Sequence, residues 1–460
     1  MANLLIYIDR KWEYTVLDSI KYLDKKYNVS LYVETIKFKK FIINNYSIYI
    51  KNIFCIEEEL SILKNKKNTF NNQKLKKLQL KLGSSISKIY VSDFLNSEIF
   101  SIGIKNIKEY NQKTFINYFI IEKILKKTKP DFIFLENTSG YFSKLLSILA
   151  KNNNIKIQIL VFYELYFKDK FIFVDENERS LYLENYYKRK NYNYKVAKTF
   201  IENFKNSKDI FSPVETLAKI NTKNNFLHII KDIYKIKNFN LLKFKNYIKR
   251  IYLNKKLIKY KDLDAKKYGK YVVYFLSYQP EASSYGNSFY NYNQIEIIKY
   301  ISMFLPSDIK LIVKEHKANT VDSLNNINKI LLLKKNYPNI YIANFKIPSK
   351  DLIKKSLCTI TLSGTVGIES IFLKKPVITI GNIFYNFYKN VSKINSFQEL
   401  EKSIFSLYKK NFKFVGSNLK ITNSILDSFF DGDIMTKTIN INNSKKISKS
   451  INKIVIFFKN

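Results

Sequence analysis

Short apolar runs alternate with amphipathic stretches over most of the chain, and that alternation predicts its elements. Leu4 to Ile8 reads as a buried strand, Thr15 to Lys25 has helical spacing through Val16, Ile20 and Leu23, and Val29 to Val33 alternates like a strand. A weaker strand follows at Ile48 to Ile53, then lysine-rich helical sequence from Glu57 to Leu82, and a strand at Ile89 to Val91. Ile107 to Lys127 predicts a long helix that ends before Pro130. Phe132 to Leu135 predicts a strand, Tyr141 to Lys151 a helix and Ile155 to Phe162 a strand.

The pattern resumes after Gly269. Tyr271 to Ser277, Ile309 to Val313, Ile340 to Ala343, Cys358 to Thr361 and Val377 to Ile380 read as strands. Tyr292 to Phe304, Val321 to Lys335, Ser349 to Ser356 and Val366 to Leu373 read as the helices between them. Strands alternating with helices imply an α/β chain with largely parallel sheets. Two such stretches joined by a linker imply two Rossmann-like domains in a GT-B arrangement with a cleft between them. The boundaries expected are 1–185, a basic helical linker over 186–268, a second domain over 269–431 and a basic tail over 432–460. In open α/β sheets ligands sit beyond the strand C-termini, so the loops there are the places to seek chemistry.

Composition sharpens the picture in one place. The 460 residues carry 79 Lys and Arg against 38 Asp and Glu, a net charge of +41, which points to a polyanion. Only Arg10, Arg179, Arg189 and Arg250 are arginine, and specific base-edge recognition favours arginine's planar fork. No nucleic-acid recognition module is apparent, so nucleic acid is not expected as a partner. The charge concentrates in the linker: residues 233–261 hold ten basic residues and no acidic one. Within it Leu241, Phe244, Ile248, Ile251 and Ile258 recur at helical spacing, with Lys243, Lys249, Arg250 and Lys256 on the other side. Two readings stay open: an amphipathic helix packed on a neighbour, or one lying on an anionic membrane. Cys55 and Cys358 make no disulfide framework and fit a reducing cytosol. His228 and His316 cannot build a His-rich metal site. The N-terminus lacks the basic region of a signal peptide, and no uncharged apolar run has transmembrane length. These features predict a cytoplasmic protein, peripheral on the inner face of the membrane if the linker helix binds lipid.

Candidate chemistry falls in the second half. The loop Tyr278 to Gly286 offers Gln279, Glu281 and Ser283; Glu281 is placed to act as base, nucleophile or ribose ligand, or only to favour the next helix N-terminus. Lys314 and His316 fall where a strand gives way to a loop, as donors for a phosphate or leaving group. In Thr361 to Ser370, a strand runs into the turn Gly364-Thr365-Val366-Gly367 that opens a helix. Its glycines let backbone approach a ligand, helix-start N–H groups attract phosphate, and Ser363, Thr365 and Glu369 add polar side chains; a helix–strand packing turn would use the same glycines. The segment is neither a P-loop nor a dinucleotide fingerprint. Glu136 and Asn137 end a strand of the first half and are candidates to meet an acceptor. Asp431-Gly432-Asp433 has metal-like spacing but reads as a turn, and no metal and no cofactor are predicted.

Phe275 to Ser283, Val313-Lys314-Glu315-His316, and Ser363 to Ser370 leading to Lys375-Pro376-Val377, in this order, resemble the capsule polysaccharide biosynthesis family, which includes bacterial β-Kdo transferases. The resemblance covers about residues 271–390 and implies a metal-independent GT-B glycosyltransferase using a nucleotide-activated sugar, CMP-linked in the Kdo branch. By that likeness Ser363, Gly364, Thr365 and Glu369 bind the nucleotide, Lys314 and His316 face the phosphate and sugar carboxylate, and Glu281 lies near the acidic position of the first loop. The family's His-Pro pair reads His316-Lys317 here. The partners implied are a nucleotide sugar and a glycan or glycolipid acceptor. Two alternatives stand beside this reading: a CDP-polyol phosphotransferase of the teichoic-acid kind, and a non-enzymatic polyanion- or membrane-binding protein.

Overall fold

The computed structural model describes residues 1–8, 15–65, 72–89, 107–138, 140–162, 167, 169–189, 192–206, 269–277, 293–316, 323–343, 347–436 and 438–460. They form two α/β units: Met1–Lys188 with Asp427–Asn460, and Arg189–Leu426.

The first unit is built on a seven-stranded sheet. Its strands are β1 (Ala2–Ile8), β2 (Tyr27–Val33), β3 (Asn52–Cys55), β4 (Phe132–Leu135), β5 (Lys156–Phe162), β6 (Lys170–Val174) and, from the far end of the chain, β13 (Phe430–Asp431). The spatial order is β13-β6-β5-β4-β1-β2-β3. β1 to β5 are parallel; β6 and β13 run antiparallel at the edge. The central strands are buried on both faces, so they read as unbroken apolar runs. Helices α1 (Thr15–Ser19), α2 (Ile36–Tyr46), α3 (Ile56–Asn65), α4 (Asn72–Leu82), α5 (Ile107–Thr128), α6 (Tyr141–Asn152) and α7 (Leu181–Lys188) fill the crossovers and the exit. The Thr15 to Lys25 helix is shorter than its spacing implies, because Ile20–Tyr22 tightens into a 3-10 turn. The strand expected at Ile48 begins instead at Asn52, after a 3-10 turn at Ser47–Tyr49. Residues 86–89 are helical, not the start of a strand, and residues 90 and 91 lie outside the described residues. Ile86 and Ile89 are both buried, and three-residue spacing puts them on one helical face, whereas in a strand they would point to opposite sides.

Residues 432–460, expected as a basic tail, group with the first unit. Ile441–Lys459 is a 19-residue helix, here α15, and it packs on the first sheet. Asn440 caps it by accepting from the backbone N–H groups of Asn442 and Asn443. Ser444, Ile447, Ser448, Ile451, Ile454 and Val455 form its buried stripe, at the spacing of one helical face. β13 delivers the chain to this place by pairing with β6. Gly432 continues the tether, with φ +138 and its N–H donating to the Asp169 carbonyl at 2.8 Å. A Cβ there would lie 2.6 Å from Ile447 Cγ1, so glycine is required by close approach as well as by backbone angle.

The second unit carries a six-stranded, fully parallel sheet: β7 (Tyr271–Phe275), β8 (Lys310–Lys314), β9 (Ile340–Ala343), β10 (Thr359–Thr361), β11 (Val377–Thr379) and β12 (Val391–Lys393). Its order is β12-β11-β10-β7-β8-β9. Counted within the unit this is 3-2-1-4-5-6, the order of doubly wound dinucleotide folds. Helices α8 (Tyr194–Asn206), α9 (Gln294–Phe304), α10 (Ser323–Asn336), α11 (Ser349–Lys355), α12 (Val366–Phe372), α13 (Phe397–Lys409) and α14 (Leu419–Ser428) complete it, the last running across the boundary to the first unit. One sheet face packs Val272, Tyr274, Leu311, Val313 and Ile360 under Ile297, Ile298 and Ile301. The other packs Tyr271, Val273 and Ile312 under Leu352 and Ile353. α8 is fixed by Phe200 and Phe204 against Phe372, and by Lys350, whose Nζ donates to the Phe204 carbonyl at 2.5 Å. The amphipathic stretch over 233–261 lies outside the described residues.

Candidate functional site

Sheet register brings the second unit's motifs to one edge. Phe275, the last residue of β7, pairs with Lys314 at the end of β8 on one side and with Thr361 at the end of β10 on the other. The chain therefore leaves the sheet at Leu276, Glu315 and Leu362 side by side. β7 and β10 flank the point where strand order reverses, and open α/β sheets bind ligands there. Gln279, Glu281 and Ser283 follow β7 directly but lie outside the described residues.

The start of that loop is held by a residue the pattern did not single out. Gln294, the first residue of α9, is buried. Its Oε1 accepts from the Ser277 N–H at 2.8 Å and from Tyr274 Oη at 3.2 Å, and its Nε2 donates to the Ser277 carbonyl at 3.0 Å. One amide thus satisfies both backbone groups of the residue that opens the loop. A glutamine at a helix start carries no distinctive sequence signal, so only the fold reveals the clamp.

Lys314 is buried at 3% exposure, and its Nζ donates to the Ile347 carbonyl and to Ser349 Oγ at 3.3 Å. Its ammonium ties the end of β8 to the start of α11. His316 is half-buried, and its backbone N–H donates to Glu315 Oε1 at 3.1 Å. Glu315 lay within the motif without being selected from it. Burial pushes its carboxyl up to about 8, against the smaller downward pull of the His316 N–H. At neutral pH this side chain is mainly a neutral acid beside the histidine.

The glycine turn after β10 is shaped by packing. Gly364 N–H donates to Thr361 Oγ1 at 3.2 Å, and its carbonyl accepts from Tyr385 Oη at 2.6 Å. A Cβ on Gly364 would meet Thr361 Oγ1 at 2.8 Å, and one on Gly367 would meet Tyr385 Oη at 2.1 Å. Both glycines are therefore demanded by the protein's own interior. The N–H groups of Gly367, Ile368 and Glu369 are taken by the Gly364 and Thr365 carbonyls. Ser363, Gly364, Thr365 and Val366 remain half-buried and form the turn's outer surface, while Gly367 and Glu369 are buried. Burial, and secondarily the Glu369 charge, push the Tyr385 hydroxyl well up, keeping it a neutral donor. The local signal for Tyr385 is the run Ile383-Phe384-Tyr385 after β11. Lys375 donates from Nζ to the Ser356 carbonyl at 2.7 Å, and burial lowers its basicity.

Glu136 and Asn137 lie in the first unit, at the corresponding edge of the other sheet. They follow β4, which neighbours β1 where that sheet's strand order reverses. Asn137 Oδ1 accepts from the Gly140 N–H at 3.4 Å, just before α6. Asp431 ends β13 and pairs with Lys170 Nζ at 2.8 Å, and Asp433 Oδ1 accepts from the Met435 and Thr436 N–H groups, so the triplet expected as a turn is a strand end and the chain leaving it. Among the described residues no cluster of three His, Cys, Asp or Glu side chains is placed to hold a metal ion, and no helix is long and apolar enough to cross a membrane.

The sequence model of the capsule polysaccharide biosynthesis protein family matches residues 194–396. Over those residues the chain is similar to that family. They contain β7 to β12 and every loop on the edge just described. The resemblance first traced in three short motifs thus extends over most of the second unit. No curated protein matches the chain. Among solved structures it is similar to the β-Kdo 2,7 transferase of Thermosulfurimonas dismutans KpsC, at 11% identity and TM-score 0.36, over 93% of this chain and 99% of that one. The β-Kdo 2,4 transferase of the same KpsC is similar at 12% identity and TM-score 0.35, over 69% and 86%. UDP-GlcNAc 2-epimerase of Methanocaldococcus jannaschii is similar at 14% and 0.27, over 93% and 99%. Likeness of this degree carries no argument about function.

Proposed function

We propose that the protein is a glycosyltransferase that moves a sugar from a nucleotide-activated donor, CMP-linked as the first candidate, to a growing capsule or other surface glycan. One observation carries the reading: the family segment holds the motif loops that leave one sheet edge around the strand-order reversal. The reaction joins an acceptor hydroxyl oxygen to the anomeric carbon. The bond from that carbon to the nucleotide's phosphate oxygen breaks, and the electron pair leaves with the phosphate. A base takes the acceptor's proton, and hydrogen-bond donors stabilise the departing charge.

The roles proposed are those the motifs imply, adjusted where a described side chain is buried. Glu281 is the candidate base. His316 is the candidate donor to the leaving phosphate, and buried Glu315 holds its backbone N–H. Buried Lys314 positions the end of β8. Ser363 and Thr365, on the outer surface of the turn, are candidate contacts to the donor, Gln279 and Ser283 remain candidates from the sequence, and Gly364, Gly367 and Glu369 shape the turn. Glu136 and Asn137 are candidates for the acceptor side. The transfer is proposed to need no metal, so turnover should survive a chelator.

A thermal-shift series with CMP, CDP, UDP and GDP tests the proposal, because a ligand at a hundredfold its Kd stabilises by about 2.7 kcal/mol. One nucleotide should raise the melting temperature, and His316→Ala should shrink that rise. If none of the four stabilises the protein, the reading loses its support.

A further inference from the structure

We propose that the outward face of α2, the turn after it and the start of α15 dock the first unit on an anionic lipid surface. Residues 36–51 contain four lysines and no acidic residue, and residues 434–460 contain six lysines and no acidic residue. These two stretches, far apart in sequence, lie side by side. Tyr46 at the end of α2 donates to Asp18 Oδ1 at 3.5 Å, and Ser444 near the start of α15 donates to Asp18 Oδ2 at 2.7 Å. Lys21 closes on the same carboxylate at 2.8 Å, and Lys445 lies over the Tyr22 ring. α1, α2 and α15 also cover the same apolar sheet face, so their opposite sides share one outer surface.

That surface exposes several large apolar side chains among its lysines and other polar residues. Ile48 is 84% exposed and Ile441 58% exposed, with Phe41, Ile43, Tyr49 and Ile439 also exposed. Lys37, Lys40, Lys51, Lys445 and Lys446 stand exposed among them. The carboxylates nearby are already engaged. Asp18 is buried and shared as above, Asp24 pairs with Lys26, Glu58 with Lys39, and Glu57 accepts the Ile36 N–H. What remains is a net positive field carrying protruding isoleucine and aromatic side chains. This combination suits the headgroup boundary of an anionic bilayer: lysines meet the lipid phosphates while the apolar tips enter the acyl edge. The proposal stands apart from the 233–261 stretch and from the identity of the donor.

The test is co-sedimentation of the full chain with vesicles of mixed phosphatidylglycerol and phosphatidylcholine, and with phosphatidylcholine alone. The wild type should sediment with the mixed vesicles and far less with the neutral ones. Ile48→Asn with Tyr49→Asn should lower partition by roughly tenfold or more. Lys37→Gln with Lys40→Gln should lower it by about fivefold for each charge removed. Lys76→Gln with Lys77→Gln, exposed on α4 away from this face, removes the same charge and should cost much less. Because the altered residues are exposed, unchanged melting will verify folding. Wild-type partition in both face variants overturns the proposal, as does an equal loss in the α4 control. Binding to neutral and anionic vesicles alike overturns it too.

Discussion

Gly367→Ala is the perturbation that best separates a glycine kept for a ligand from one kept for the fold. The added Cβ would lie 2.1 Å from Tyr385 Oη, 2.6 Å from its Cζ and 2.9 Å from its Cε2, all well inside contact distance. Gly367 sits in α12, and Tyr385 is fully buried, so neither can move without disturbing its neighbours. Displacing the ring stretches the 2.6 Å hydrogen bond to the Gly364 carbonyl and leaves a buried hydroxyl unsatisfied, at about 1–3 kcal/mol. Overpacking adds about 1–3 kcal/mol, and alanine's better helix propensity returns about 1. The net expectation is a loss of about 3 kcal/mol. For a unit of this size that is about 10 °C in melting temperature, read by calorimetry. Tyr385→Phe alone should cost about 1 kcal/mol through the lost hydrogen bond. The double variant should cost less than the two losses added, because the nearest clashing atom is gone. Melting of Gly367→Ala within about 2 °C of the wild type would refute the packing argument, as would strict additivity. Normal melting with lost nucleotide response would assign the glycine to the ligand instead.

Other expectations concern buried polar groups at the same edge. Glu315 holds its proton up to about 8 in the folded chain but releases it near the ordinary glutamate value when unfolded. The folded state therefore binds the extra proton, and stability falls as pH rises from about 4.5 to about 8. Glu315→Gln should match the wild type near pH 4.5 and exceed it above pH 8 by a few kcal/mol, at about 1.4 for each pH step of one. Melting curves across that range check this, and a difference independent of pH would count against it. Gln294→Leu keeps the volume but strips three hydrogen bonds from Ser277 and Tyr274. It should cost about 2–4 kcal/mol, read as a lowered melting temperature; unchanged melting would show that these bonds do not hold Ser277 and Tyr274 in place.

The alternation of strands and helices was legible because each buried strand must be an unbroken apolar run and each crossover helix an amphipathic one. β1, β4, β7 and β9, and helices α5, α6 and α12, fall within a residue or two of their expected bounds at most positions. β6 was missed, since Lys170 to Val174 is a short run whose antiparallel pairing depends on β5 beside it. The candidate residues were found as residue types in loops, while their circumstances were not. Nothing local says that Lys314 is buried against the Ile347 carbonyl, that Glu315 holds a proton, or that Gln294 clamps Ser277.

By itself, then, the sequence determined the period of the elements, the two α/β halves, the loops that follow β7, β8 and β10, and the family resemblance carried there. These depend on neighbours a few residues away, which the chain spells out directly. The tertiary structure alone decided the strand order that sets Phe275 between Lys314 and Thr361. It also decided the return of α15 to the first unit, the close approach of Gly367 to Tyr385, and the meeting of α2 and α15 around Asp18. Each joins residues remote in sequence, and their energies come from burial and register that exist only once the sheets have formed.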